Sequence, residues 1–446
     1  MSFVVGEKNR RRELGGKESF VEKANKLKCI DNLIWIGLLA AAFFSLLDFL
    51  IRTSFLPAWA AAGWDEALIL FMAMLWLLKK KIANEPLLMK TPVNLPLAAL
   101  ALAALLSIAV NRVPLFIAVE ALRVLLQGAA FYFIAANLIQ SQRQIKVLTA
   151  VMLVAVTIIA VYGIYQYAVG IETPTQWIVE EFEEGIRTRV YSTVGNPNAL
   201  AGYMILFLPT ALALTLKSRR KILKILCGLS FLLLLLCLVF TFSRGAWLGF
   251  LGSLVVLGFV LDRRILVLLL VGLAAAPVLL PGTIIDRMLF VFSQEYISIS
   301  TVYGRLSAWR KAAEIMLAQP LFGAGLGTVG DSVATRRDLP GAFWVDNQYL
   351  RIGAEMGVTG LLLFLWLMKN SVLSVIGQIR GMRDPFFTAL LGGIAAGLSA
   401  VVIQNATVSV FEVLFVSTYW WFLVGIAWAA VRLYWRRPAK KGGEAS

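Results

Sequence analysis

The sequence predicts an all-α polytopic membrane protein of about twelve transmembrane helices. Hydrophobic residues make up 59% of the chain and charged residues 15%, whereas soluble domains carry about 25% charged residues. Long apolar runs recur along the chain, and about 20 helical residues are enough to cross a bilayer core. The basic residues gather in the short segments between these runs, so we attribute the net charge of +16 to membrane topology rather than to nucleic-acid binding.

The predicted spans form a membrane domain over residues 31–431. Basic tails flank it at 1–30 and 432–446. The shorter runs are expected to be tilted or half-buried helices. The apolar runs lie at 31–51, 59–78, 93–110, 115–138, 145–168, 198–216, 222–240, 246–261, 265–281, 350–368, 386–404 and 411–431.

The distribution of lysine and arginine predicts the orientation of the chain. With the N-terminus inside, most basic residues fall in cytoplasmic segments, as the positive-inside rule requires. The first 28 residues are polar and basic and lack the features of a signal peptide, so both tails are expected in the cytoplasm. We therefore predict a multi-pass protein of the cell inner membrane. Two long outer loops follow, at about 169–197 and 282–349, and long loops are usually functional.

The sequence predicts neither a metal ion nor an organic cofactor. Histidine is absent, and the three cysteines have no metal-binding spacing. No Walker motif is present. We interpret the glutamates at 180–184 as a solvated acidic loop. The stretch Gly325–Gly330 fits G-x-G-x-x-G but lacks the surrounding βαβ unit. We interpret it either as a tight turn whose N–H groups approach an anion or as a flexible turn.

Arginines in the outer segments are the first candidates for chemistry. Arg244 lies in a short turn between two apolar runs, where a charge is costly and tends to mark function. Arg187 and Arg189 precede the Gly195–Asn198 turn. Arginine binds phosphate well because its planar guanidinium makes two parallel charge-assisted hydrogen bonds. The alternative is ordinary surface charge or snorkelling at the interface.

The large outer loop contains a predicted amphipathic helix over 303–317, closed by Pro320. Arg305 and Arg310 lie on it, away from its apolar face. Such a helix lies on a membrane surface or packs against the protein with one solvated face.

Acidic residues follow at the end of this loop. Asp346 is a general base, a residue that positions an attacking hydroxyl, or the N-cap of the next helix. Glu355, further into that helix, is a second candidate. Glu120 and Arg123 share a helix face within a predicted span, and we interpret them as a structural ion pair.

Four motifs, in this order, resemble segments of the O-antigen ligase and O-antigen polymerase superfamily. Together they cover roughly residues 160–365. They are Arg189–Asn198 with Ala201–Tyr203, Ser243–Gly249, Gly304–Trp309 running on to Thr328, and Asp346–Tyr349 with Glu355–Gly360.

The resemblance implies a GT-C-like membrane fold and a metal-independent glycosyltransferase of polysaccharide biosynthesis in the cell envelope. Such enzymes move a glycan from undecaprenyl diphosphate to a hydroxyl of a glycan, lipid or protein acceptor outside the cytoplasmic membrane. It places Arg244 and Arg305 on the lipid diphosphate and aligns Asp346 with the loop histidine proposed as the base in the family. The candidates for substrate binding are Arg187, Arg189, Asn196, Asn198, Arg310, Tyr349 and Glu355.

An aspartate in place of the histidine leaves the member of the superfamily open. The chain is then a lipopolysaccharide ligase, a polysaccharide polymerase or an inactive member. Relatives with the Arg189–Tyr203 pattern have been labelled as cyanobacterial inorganic-carbon transporters, so a transporter is the main alternative. A non-catalytic partner in polysaccharide assembly is the other.

Overall fold

The computed structural model shows an all-α polytopic membrane protein. The tails before Lys23 and after Trp435, and residues 55–56, 175–187 and 280–281, lie outside the described part of the chain. The structure describes residues 23–54, 57–174, 188–279 and 282–435.

The helices of the described part follow the apolar runs of the sequence. Short helices also divide the large outer loop. In chain order they are α1 Lys23–Ala42, α2 Phe44–Arg52, α3 Ala58–Ala62, α4 Trp64–Ala83, α5 Asn94–Val110, α6 Leu115–Leu138, α7 Gln142–Val169, α8 Pro197–Lys217, α9 Lys221–Phe240, α10 Arg244–Val260, α11 Arg264–Leu279, α12 Gly282–Leu289, α13 Gln294–Val302, α14 Arg305–Ala318, α15 Asp331–Ala334, α16 Gln348–Ile379, α17 Pro385–Gln404 and α18 Leu414–Trp435.

Seven of the described helices are long and apolar enough to cross a membrane, namely α6 to α9 and α16 to α18. Helices α1 and α2 meet at a bend of 79° and make an eighth span if they are taken together. Helices α5, α10 and α11 are apolar but shorter. Helix α4 has acidic residues in its first turn and lysines near its end. Each predicted span therefore falls on described helices, with 31–51 divided between α1 and α2 and 59–78 between α3 and α4, and seven to eight of the twelve meet the requirements for crossing.

Small residues let three central helices approach one another closely. A Cβ at Gly393 or Gly397 of α17 would collide with the backbone of α8, and one at Gly249 of α10 would collide with the carbonyl of Ala400. Helix α18 packs in the same way on α6, where Gly425 lies against the carbonyl of Tyr132. Close backbone contact through glycine is a common way to hold helices together in a membrane, where burial of apolar surface gives little driving force.

Helix α16 is interrupted at Gly357, whereas the sequence predicted one continuous span over 350–368. Gly357 has a φ of 71°, a conformation that disfavours any side chain. The carbonyl of Pro320 accepts the N–H of Val358 at 2.7 Å and so satisfies a donor that the break exposes. The turns from Gln348 to Met356 are buried in the protein, where an irregular backbone is tolerated at membrane depth.

The predicted amphipathic loop helix is present as α14, which spans Arg305–Ala318. Its buried side centres on Ala312, and Met316 packs on Gly353 of α16. The helix thus lies against the interrupted start of α16 with its other side exposed. The helix order puts the basic loops, such as Lys217–Lys221, at one end of the bundle and the α16 N-terminus at the other.

Candidate functional site

The corner before α16 presents the carboxylate of Asp346. This residue has a φ of 52°, and the N–H groups of Val345 and Asp346 point to the carboxylate of Asp331 at 2.7 and 3.4 Å. The helix cap is Asn347, whose side chain accepts the N–H groups of Tyr349 and Leu350. The interpretation of Asp346 as the N-cap is therefore wrong, because the neighbouring residue fills that role.

The Asp346 carboxylate instead pairs with Arg305. The distance from Arg305 Nε to Asp346 Oδ2 is 3.2 Å, and the two side chains are 32% and 35% exposed. Arg305 is the first residue of α14, so the positive end of the helix dipole adds to its charge. Gly304 makes a tight corner there, since a Cβ would lie 2.7 Å from the Cα of Ser300. The backbone corners at Gly304 and Asp346 thus fix the positions of both side chains, and both side chains remain partly exposed.

Arg244 is the first residue of α10. Phe242, two residues earlier, has a φ of 51°, which turns the chain sharply between α9 and α10. The guanidinium of Arg244 lies 5.4 Å from the ring centre of Tyr296 in α13, a cation–π contact. Helix α13 packs on α14, whose first residue is Arg305, so Tyr296 links Arg244 to the helix pair that carries Arg305.

The turn between α17 and α18 connects these pieces, and the sequence analysis missed it. The amide of Asn347 donates to the carbonyl of Ala406 at 2.9 Å. Thr407 packs against Gly245, next to Arg244. The hydroxyl of Ser409 donates to Asp331 Oδ2 at 2.5 Å. One short turn therefore contacts the Arg244 corner and the Asp346 corner at once.

A buried ion cluster lies beneath the site. Arg351 is 4% exposed and makes ion pairs of 2.8 Å with both Glu355 and Glu412, and a longer one of 3.9 Å with Asp331. One cation thus faces three carboxylates. Burial is the main cause that raises the pKa of Asp331 to about 7, and nearby Glu412 raises it further, while Arg351 acts in the opposite direction. A proton on Asp331 relieves part of the excess negative charge.

Residues 229–365 match the family model described as O-Antigen ligase. They form an O-antigen ligase domain. The match begins within α9 and ends in α16, and so it contains Arg244, Arg305 and Asp346. A search of curated proteins finds no match to the chain.

Glu355 is held by the glycine-rich loop of the O-antigen ligase domain. The N–H of Val329 points to Glu355 Oε1 at 3.4 Å, and the backbone of Gly327 contacts the same carboxylate. The interpretation of this loop as a turn that approaches an anion agrees with the geometry, and the anion is the chain's own carboxylate. Glu355 is fully buried and paired with Arg351, so its place favours a role in positioning the loop.

Arg189, Asn196 and Asn198 lie before the O-antigen ligase domain and hold the chain near Arg244. The Arg189 guanidinium is buried and donates to the carbonyl of Thr241 and to Asn198 Oδ1, both at 3.1 Å. Asn196 caps α8. The structure therefore brings this segment to the turn before α10, and Arg189 stabilises that turn.

Arg310 and Tyr349 contact partners other than the Arg305–Asp346 pair. Arg310 is 81% exposed and pairs with Glu314 one turn along α14. Tyr349 donates its hydroxyl to the carbonyl of Val402 at 2.6 Å and packs on Phe364. Arg187 and the glutamates at 180–184 lie outside the described residues.

The interpretation of Glu120 and Arg123 as an ion pair is wrong. Glu120 instead pairs with Arg337 at 2.8 Å and Arg336 at 3.3 Å, both from the large outer loop. Arg123 pairs with Glu66 of α4. Helical spacing alone did not reveal partners that come from distant parts of the chain. In the part of the chain that the structure describes, no group of three His, Cys, Asp or Glu residues could hold a metal ion.

Proposed function

We propose that this protein transfers a glycan from undecaprenyl diphosphate to an acceptor hydroxyl. The observation that carries the proposal is the Arg305–Asp346 pair, a partly exposed cation and carboxylate 3.2 Å apart within the O-antigen ligase domain. Arg244 adds a second guanidinium, which contacts Tyr296 of α13, the helix that precedes Arg305. A base beside two phosphate-binding groups is the arrangement that this transfer requires.

In the proposed reaction, the acceptor oxygen attacks the anomeric carbon of the donor sugar. The bond from that carbon to the diphosphate oxygen breaks, and its electron pair leaves with undecaprenyl diphosphate. Asp346 accepts the proton of the hydroxyl. A single displacement of this kind inverts the anomeric configuration.

Arg305 and Arg244 stabilise the leaving group in this scheme. Charge grows on the diphosphate as the glycosidic bond breaks, and pre-placed guanidinium groups lower the energy of that state. A diphosphate bound to Arg305 competes with Asp346 for the guanidinium. We propose that donor binding thereby releases the Asp346 carboxylate for the acceptor hydroxyl.

We further propose that all twelve helices at the predicted spans cross the inner membrane. The shorter α5, at 17 residues, is about 26 Å long, close to the bilayer core of about 30 Å. Both tails then lie in the cytoplasm, and the Asp346 end of the bundle faces outward, opposite the basic loops. The donor reaches the site from the outer leaflet, and its lipid tail stays in the bilayer.

We assign the other candidates to supporting roles. Arg189, Asn196 and Asn198 position the turn before Arg244, while Glu355 and Tyr349 position the start of α16. Each of these residues affects the substrate indirectly, because it holds in place either the turn before Arg244 or the start of α16. A second group, Arg187 and Arg310, is proposed to contact the glycan or the lipid surface.

The experiment is a transfer assay with the purified full-length chain in detergent. The protein is incubated with undecaprenyl diphosphate-linked glycan and a panel of glycan and lipid acceptors, and released undecaprenyl diphosphate is measured. We expect release coupled to a new glycan product. An Arg244→Ala variant should lose about 100-fold or more in rate, whereas Arg263→Ala, at the other end of α10, should keep full activity. No release with any acceptor, or equal rates in both variants, would contradict the proposal.

A further inference from the structure

A deep groove opens at the end of the bundle opposite Asp346. It has a volume of about 870 Å³ and lies between α7, α9 and the start of α17. Its walls run along α7 from Lys146 to Val161 and along α9 from Leu223 to Leu233. None of these residues contacts the Arg305–Asp346 site, so the groove is a separate feature.

The depth of the groove matches one leaflet of a bilayer. The wall on α7 is about 22 Å long at 1.5 Å per residue, compared with about 20–22 Å for one leaflet with its head-group region, of which about 15 Å is hydrocarbon. Most of the side chains along it are aliphatic, among them Leu153, Ile158 and Leu226. Among the polar exceptions, Thr157 and Ser230 hydrogen-bond to each other at 2.7 Å, and Thr149 donates to the carbonyl of Ile145 at 2.8 Å, so none of the three needs a ligand. The walls suit an acyl chain.

The mouth of the groove is strongly basic. Lys146, Lys217, Arg219 and Arg220 all line it, and both arginines are exposed. The one acidic residue there, Asp384, already accepts the N–H groups at the start of α17. Cations at the mouth of an apolar groove complement a phosphate that is attached to a hydrocarbon chain.

We propose that this groove binds an anionic phospholipid of the adjacent leaflet. Its phosphate contacts the basic mouth, and one acyl chain lies between α7 and α9. Basic pockets between helices at the cytoplasmic face are suited to anionic head groups, and the outward placement of Asp346 puts this mouth on the cytoplasmic side. The site rests on the proposed orientation of the bundle and not on the transfer reaction, so it holds even if the proposed activity fails.

The test is native mass spectrometry of the full-length chain in detergent with phosphatidylglycerol or phosphatidylcholine of identical acyl chains. Phosphatidylglycerol should bind at least 10-fold more tightly. Arg219→Ala/Arg220→Ala should weaken its binding by about 30-fold, since each basic residue near an anionic head group contributes about 5-fold. The matched control is Arg263→Ala/Arg264→Ala, which removes two exposed arginines at the same end but outside the groove. It should bind as the wild type does.

Two further measurements separate a lipid from a free anion. Ala150 lines the groove and is exposed, so Ala150→Phe should fill the groove without disturbing the packed core. It should reduce binding of both lipids while the melting temperature stays unchanged. Inorganic phosphate at the same concentration should not displace bound phosphatidylglycerol. Equal affinity for the two lipids, displacement by phosphate, or equal losses in the two double variants would overturn the proposal.

Discussion

Two groups of charges lie close together at the start of α16 and differ in their exposure and in how many partners each cation has. The Arg305–Asp346 pair has one contact of 3.2 Å between side chains that are about one-third exposed. The Arg351 cluster is buried, and its single guanidinium is shared among three carboxylates. Only the Arg305–Asp346 pair is exposed enough to contact a substrate while the structure around it stays folded.

The comparison distinguishes the Arg305–Asp346 pair, which can act on a substrate, from the Arg351 cluster, which holds the surrounding structure in place. A partly exposed ion pair contributes little to stability, about 0–1 kcal/mol, so it can exchange partners at low cost. A buried cluster is costly to break, because loss of one partner leaves an uncompensated charge. The cluster holds Asp331, which binds the backbone at Asp346, and Glu355, which binds the glycine-rich loop. Removal of the buried group should therefore affect folding, and removal of the exposed group should affect activity.

The largest effect is expected for Arg351→Met. Three buried carboxylates then lose their cation, which should cost about 3–5 kcal/mol of stability. The apparent melting temperature in detergent should fall by about 5 °C or more. The matched control is Arg310→Ala, which removes an exposed ion pair on α14 and should leave melting unchanged within about 1 kcal/mol. Equal melting of the two variants would show that the cluster does not support the fold.

Arg305→Ala should lower the transfer rate and leave the melting temperature unchanged. We expect a transfer rate lowered by about 100-fold, because a guanidinium that faces the developing diphosphate charge is lost. Melting should stay close to that of the wild type. Arg310→Ala, on the same helix, should retain most of its activity. If Arg305→Ala transfers normally, the diphosphate site lies elsewhere.

Gly357→Ala tests the break that separates the buried start of α16 from its membrane span. A Cβ there meets the backbone of Pro320 and Leu321, in a conformation that already disfavours side chains. We expect a loss of about 2 kcal/mol or more. Gly377→Ala lies in the same helix with open space around it and should be neutral or slightly stabilising. Similar melting temperatures in the two variants would argue for a continuous helix.

A smaller effect should be seen in the pH dependence of stability. Because the pKa of Asp331 is raised from 3.8 to about 7, the folded protein retains a proton that the unfolded chain has lost between these values. Stability is therefore greatest at the low end of that window and falls as the pH rises to 7, by at most about 1.4 kcal/mol per unit. Arg351, Glu412 and Asp346 face this carboxyl. Melting curves at several pH values should show the slope in the wild type and a flatter curve in Asp331→Asn.

Much of the fold follows from the apolar runs of the sequence, because each long run has to bury its backbone polar groups within a helix. Arg244 could also be found, since a charge in a short turn between apolar runs is conspicuous, and Arg305 and Asp346 could be found because they lie in motifs that resemble the family. Ser409 and Asp331 could not, because their roles depend on a turn from the far end of the chain. The break at Gly357 depends on Pro320 in the same way. Contacts between distant residues leave no local pattern.

The central claim is that transfer depends on the exposed Asp346 carboxylate. The most direct test is the rate of undecaprenyl diphosphate release by Asp346→Asn, measured beside the wild type. Asparagine keeps the shape of the side chain and tolerates the φ of 52° at this corner, so the backbone should be preserved. The predicted result is unchanged melting with a rate lowered by about 100-fold or more. A rate equal to that of the wild type, with melting also unchanged, would contradict the claim that Asp346 accepts the proton.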